Sequence, residues 1–161
     1  MNSKYEISTK ENREFLKASC EELLNFGHRF PSPNGGSYYL GDDGTPWKDR
    51  NRETWITCRM AHVYSLGLML GHEGSEELAD AALKGLKGEL HDEKNGGWYA
   101  GVTPEGDIVP NKQCYAHAFV ILAASSALTA GRPGAKELLE EALAVYDRHF
   151  WNEEEGLACD T

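Results

Sequence analysis

Two stretches of this chain, residues 55–70 (WITCRMAHVYSLGLML) and 112–130 (KQCYAHAFVILAASSALTA), are apolar nearly all the way round a helix. Such a helix must be covered on most sides by other elements. Each of the two runs into a glycine turn and then into an amphipathic run, and the turns match: Gly71-His72-Glu73-Gly74-Ser75-Glu76-Glu77-Leu78 lies sixty residues before Gly131-Arg132-Pro133-Gly134-Ala135-Lys136-Glu137-Leu138. Gly35-Gly36 lies 61 residues before Gly96-Gly97, and Asp43-Gly44 lies 62 before Glu105-Gly106. The chain is therefore an internal repeat whose unit is amphipathic helix, glycine-rich hairpin, apolar helix. Units of this kind bury their cores by stacking on neighbours. An inner ring of apolar helices inside an outer ring of amphipathic ones satisfies both helix types, which gives an all-α solenoid or toroid.

The element boundaries follow from local signals. Ser8 and Glu11 have capping-box spacing, and a stripe of Leu16, Cys20, Leu23 and Leu24 predicts an amphipathic helix over residues 8–30. Prolines and glycines then break the chain, and Ser37-Tyr38-Tyr39-Leu40 before Asp43-Gly44 reads as a hairpin. The first apolar helix runs over 54–70 and ends at Gly71. A second amphipathic helix covers 75–90. Trp98-Tyr99 and Asp107-Ile108-Val109 read as strands flanking Glu105-Gly106. Asn111 is the expected N-cap of the helix over 112–130, and a third amphipathic helix spans 135–150. The third unit stops inside its hairpin at Thr161. An array ending mid-unit leaves an apolar face open, so residues 1–161 are expected to be a single incomplete domain of about two and a half repeats, the N-terminal part of a longer protein, or else a homo-oligomer that covers the face by self-association.

With 26 acidic against 16 basic residues and a net charge of −10, the composition argues against a nucleic-acid partner. No apolar run is long enough to cross a membrane without polar interruption, and MNSKYEISTK lacks the apolar core of a leader. Cys20, Cys58, Cys114 and Cys159 are widely spaced with no CxxC, which suggests neither a zinc site nor a disulfide framework and fits a cytoplasmic setting.

Trp55, Arg59 and His62 fall on one face of the first apolar helix. A buried arginine needs a partner, which is either an acid of the protein or a polar cavity and its ligand. Gln113 and His117, with Tyr115 between them, mark the same end of the second apolar helix. Trp, Arg, His, Gln and Tyr at one mouth suit a polyhydroxylated neutral or anionic ligand, since an indole stacks on a sugar face while Arg and Gln reach hydroxyls or a carbonyl. The plainer alternative is that Arg59 meets a buried acid, Tyr115 bonds a carbonyl, and the histidines are satisfied core residues. Asp42-Asp43 and Asp92-Glu93 have the residue type of glycosidase carboxylates but sit in hairpins, where turn-forming acids are common. His72, His91 and His149 read as surface or helix-end residues, and no phosphate loop or metalloprotease motif is present.

At WITCRMAHVYSLGLMLG, NGGWYAGVTPEGDIVPNKQCYAHAF and HFWNEEEGLACD the chain resembles the N-acylglucosamine 2-epimerase family, most of all its sugar isomerase branch of mannose and sulfoquinovose isomerases. The resemblance implies an (α/α)6 barrel with short β-hairpins between helices. It also implies aldose–ketose interconversion, or C2 epimerisation, through proton abstraction beside the sugar carbonyl, with neither a metal nor another cofactor. By motif match Arg59 binds the sugar oxygens near the reacting carbons, Tyr115 binds substrate and Trp55 walls the pocket, with His62, Gln113 and His117 as pocket lining. The family's catalytic histidines lie in later repeats, so no catalytic residue is expected within 1–161. The competing expectations are a 2-epimerase of N-acylglucosamine or cellobiose type, a non-catalytic helical-repeat interaction module, and an (α/α)6 glycoside hydrolase. The last requires a carboxylate pair at the mouth, and the two stripes contain none.

Overall fold

The structure, a computed structural model, describes residues 5–160. The MNSK that opens the stretch read for a leader, and Thr161, lie outside the described residues. Five helices carry the fold: α1 (Lys10–Gly27), α2 (Thr54–Met69), α3 (Ser75–Leu86), α4 (Cys114–Thr129) and α5 (Ala135–His149). Between them run two-residue strands: β1 (Tyr39–Leu40), β2 (Pro46–Trp47), β3 (Arg52–Glu53), β4 (Gly101–Val102), β5 (Ile108–Val109), β6 (Trp151–Asn152) and β7 (Leu157–Ala158). Among the described residues no helix is long and apolar enough to cross a membrane.

Helix α2 packs against both α3 and α4, and α4 against α5. Small residues make the close approach possible. The buried face of α4 is Ala116, His117, Val120, Ala123, Ala124 and Ala127, and that of α2 includes Cys58, Ala61, Ser65 and Gly67. Contacts between α2 and α4 climb both helices together, from Trp55 with Tyr115 through Arg59 with Phe119 to His62 with Ser126. The two helices are therefore parallel, with their N-terminal ends side by side.

Neither apolar helix is covered all round. Val63, Leu66, Met69 and Leu70 on α2, and Tyr115, Leu122 and Leu128 on α4, are exposed. Helix α1 is similarly half covered. Of its expected stripe, Leu24 is buried and Cys20 packs on the core, but Leu16 and Leu23 face outward. The start of α1 also differs from the expected capping box. Thr9, not Ser8, is the N-cap, because its extended backbone (φ −84°, ψ 156°) lets Oγ1 accept the Asn12 N–H at 3.1 Å.

The hairpins tie the repeats together. Tyr39 pairs with Trp47 across the first. In the second, the expected strand at Trp98-Tyr99 is displaced to Gly101–Val102. Trp98 is fully buried and gives its indole N–H to the Leu86 carbonyl at 2.7 Å, so its backbone makes only a single bridge, to His91. Strand β3 joins β4 in register Arg52↔Val102, which extends this hairpin into the three-stranded sheet β3-β4-β5. The first amides of α2 and α4 then donate to the next unit's loop: Thr54 N–H to the Ala100 carbonyl at 3.0 Å, and Cys114 N–H to the Asp160 carbonyl at 2.9 Å. Both donors and both acceptors are sixty residues apart. Asp160 thereby takes the place expected of Asn111, and Gln113, extended and without a side-chain cap bond, precedes the helix. Helix α3 stops at Leu86, short of the expected residue 90. There the Gly35-Gly36 loop lies on it so closely that a Cβ on Gly85 would stand 2.3 Å from the Gly36 nitrogen.

Candidate functional site

Trp55 and Tyr115 are the second residues of α2 and α4, with ring centroids 6.1 Å apart. One turn further in, the Arg59 guanidinium lies 4.7 Å from the Trp55 ring and 5.0 Å from the Phe119 ring. Tyr115 closes the group by packing edge-on to Phe119 at 5.0 Å. Arg59 is exposed and Trp55 half-buried. The expectation of a buried arginine is thus corrected: Arg59 is held by aromatic faces rather than by an acid, and among the described residues its guanidinium makes no hydrogen bond or ion pair. Stacking fixes the plane of a guanidinium while leaving its edge donors available. Two parallel helix N-termini add positive potential at the same end.

The other expected lining residues separate. His62 stands deeper on the same face, half-buried, with Nδ1 2.6 Å from Ser126 Oγ. The Ser126 hydroxyl hydrogen goes to the Leu122 carbonyl at 2.9 Å, so His62 Nδ1 is the donor to Ser126. His117 does not join the cluster. It is fully buried, its Nδ1 donates to the Gln113 carbonyl at 2.8 Å, and its Nε2 accepts the Trp98 N–H at 3.1 Å. Burial holds its pKa below the usual imidazole range, so it is neutral. It packs on Phe150 and Trp98, on the side of α4 that borders a cleft of about 260 Å³ shared with Lys112, Val145 and His149. Gln113 contributes its backbone carbonyl to that arrangement.

The sixty-residue offset explains the separation. His117 is the counterpart of Thr57, whose Oγ1 accepts the Ser37 N–H at 3.0 Å as His117 accepts that of Trp98. Tyr115 corresponds to Trp55, and Phe119 to Arg59. Gln113 and His117, expected at the same helix end as Arg59 and His62, thus stand at the repeat positions of Glu53 and Thr57.

Two residues missed in the sequence complete the group. Glu53, half-buried on β3, accepts the Trp55 indole N–H at 2.8 Å and the Tyr39 hydroxyl on the same carboxylate oxygen. Tyr39 in turn lies edge-on to Trp55, with centroids 6.4 Å apart. A search for stripes within helices could not find Glu53, because it sits on the strand residue just before α2. Two of the acidic hairpin residues, Asp92 and Asp43, are structural. Asp92, almost fully buried, takes Lys112 Nζ at 2.7 Å and the amides of Lys94 and Asn95, and these bonds hold its carboxyl below the usual range. Asp43 likewise bonds Thr45 within its own turn.

The sequence model of the N-acylglucosamine 2-epimerase (GlcNAc 2-epimerase) family covers residues 35–161. The chain belongs to this family. It is 41% identical over 146 residues to a D-mannose isomerase of Thermobifida fusca, covering 90% of this chain and 36% of that protein. It is 37% identical over 150 residues to a D-mannose isomerase of Pseudomonas cannabina pv. alisalensis, covering 93% and 36%. The chain thus spans little more than a third of the length of these relatives. Among solved structures it superposes on a D-mannose isomerase with a TM-score of 0.83 at 25% identity, over 96% of this chain and 39% of that one. A cellobiose 2-epimerase of Bacillus thermoamylovorans shares the fold with a TM-score of 0.78 at 24% identity, over 92% and 40%.

Proposed function

We propose that this chain forms part of a sugar isomerase that interconverts an aldose and its ketose, with mannose and fructose as the favoured pair and sulfoquinovose and sulfofructose as the alternative. In this reading residues 1–161 are a single incomplete domain of an (α/α)6 barrel. The exposed faces of α2 and α4 turn towards later helices, and proton-transferring histidines come from repeats beyond this chain.

The observation that carries the proposal is the Arg59 guanidinium, lodged in the corner between the Trp55 and Phe119 rings with its donors uncommitted. In aldose–ketose exchange a base removes the C2 proton and the carbonyl oxygen gathers negative charge. The proton then returns at C1, while the C2 hydroxyl proton moves as that oxygen becomes the ketone. A pre-oriented guanidinium beside those oxygens stabilises the enediolate more than the starting sugar, which is what lowers the barrier. Trp55 and Tyr115 supply ring faces for the C–H side of the sugar, and His62 lines the deeper wall.

Identity to mannose isomerases supports isomerisation over epimerisation. In D2O, the native protein supplied with D-mannose should give fructose carrying one deuterium at C1. Glucose deuterated at C2 would instead identify a 2-epimerase.

A further inference from the structure

Three elements meet at Glu53. It lies at the end of β3 and immediately before α2, and its carboxylate gathers Tyr39 from β1 and Trp55 from the first turn of α2 onto one oxygen. Burial first, and then the adjacent Glu53 carboxylate, hold the Tyr39 phenol above its usual range, so the hydroxyl stays protonated and donates. The indole so fixed is one of the two rings that clamp Arg59. The second repeat provides an internal control. Its equivalent residue, Gln113, makes no side-chain hydrogen bond among the described residues, and Tyr115 beside it remains half exposed. The carboxylate bridge is therefore not a general need of the repeat, and it occurs in the unit that carries the arginine.

We propose that Glu53 is the positioning residue of the sugar site, fixing the Trp55 ring and through it the plane of the Arg59 guanidinium against the sugar's reacting oxygens. This rests on the isomerase reading above. Glu53 does not touch the reacting atoms. It removes rotamer freedom from Trp55 before substrate arrives, and misplacement of a reacting group by about 1 Å can cost on the order of a hundredfold in rate. Both donors use one oxygen, so a glutamine amide oxygen can take its place.

The test compares five forms of the native protein at matched thermal stability: wild type, Glu53→Ala, Glu53→Gln, Trp55→Phe, whose ring stacks but cannot donate, and the double variant Glu53→Ala with Trp55→Phe. Glu53→Ala should lower kcat/KM for D-mannose roughly ten- to a hundredfold, while Glu53→Gln should stay within about threefold of wild type. Trp55→Phe should match Glu53→Ala, and the double variant should be little worse than either single one, as for two residues acting through one bond. Glu53→Ala within threefold of wild type, full additivity with Trp55→Phe, or Glu53→Gln as poor as Glu53→Ala would each overturn the assignment. If wild-type protein converts neither mannose nor sulfoquinovose, the isomerase reading fails, and the bridge is read from the Trp55 indole N–H resonance. A shift in Glu53→Ala that is absent in Glu53→Gln supports the bridge, and an unmoved resonance in Glu53→Ala refutes it.

Discussion

Arg59 and His117 show two fates for a basic side chain near the N-terminal ends of the parallel helices α2 and α4. Arg59 is exposed and keeps its donors, because aromatic faces orient it without consuming them. His117 is buried and has spent both nitrogens on the backbone. That difference has a pH signature. Burial depresses the folded pKa of His117, so the unfolded chain binds more protons below its unfolded value of about 6.5. The stability it contributes is fully present above that value and declines as pH falls from there towards the folded pKa. Asp92, also depressed, loses its contribution only below about 3.9. Urea midpoints between pH 7.5 and 5.5 should therefore fall for wild type and stay flatter for His117→Thr, which borrows the acceptor used at Thr57. An identical slope in the variant would count against a neutral buried imidazole. The sequence showed that Arg59 and His62 share a face. It could not show that Phe119, an unremarkable aromatic, is the other half of the clamp, since that depends on the lateral register of two helices.

Among the elements, the helices were legible, and so were the ends of α2 and α5, while the starts of α1 and α4 and the end of α3 were not. All five apolar or amphipathic runs are helical, because period 3.6 and flanking glycines act locally. The caps depend on contacts across repeats. Asp160 serves α4 from forty-six residues away, and the Gly35-Gly36 loop fixes where α3 stops. The contact at Gly85 makes a sharp test. Alanine is favoured over glycine in a helix interior by about 1 kcal/mol, yet a Cβ there would overlap the Gly36 nitrogen at 2.3 Å and the Gly36 Cα at 2.5 Å. Gly85→Ala should therefore destabilise by at least about 2 kcal/mol in chemical denaturation, as overpacking does. A stabilised variant would mean that the loop does not rest on α3. The strand at Trp98-Tyr99 was misplaced for a related reason. Adjacent aromatics after a glycine pair look like a strand, but a fully buried indole whose N–H needs an acceptor follows the core.

For the whole molecule, the sixty-residue repeat made the alternation of helix types readable, and the family's motifs agree with the matched sequence model. An open apolar face was expected, but which residues of α2 and α4 form it was not readable, because a run of apolar residues carries no information on which neighbours are present. Contiguous apolar surface such as Leu23, Val63, Leu66 and Leu70, which borders a groove of about 340 Å³ between α1 and α2, marks a surface built to be covered. If later repeats cover it and supply the bases, residues 1–161 produced alone should give no mannose–fructose turnover, and mannose conversion by this piece would place the bases within it.

The central claim is that Arg59 stabilises charge on the reacting sugar. The direct measurement is kcat/KM for D-mannose isomerisation by the native protein carrying Arg59→Ala or Arg59→Lys, with melting temperature recorded alongside. The account predicts a loss of roughly a hundred- to a thousandfold for Arg59→Ala at nearly unchanged melting temperature, and only partial recovery with lysine, which lacks the planar fork. Activity of Arg59→Ala within threefold of wild type would contradict it.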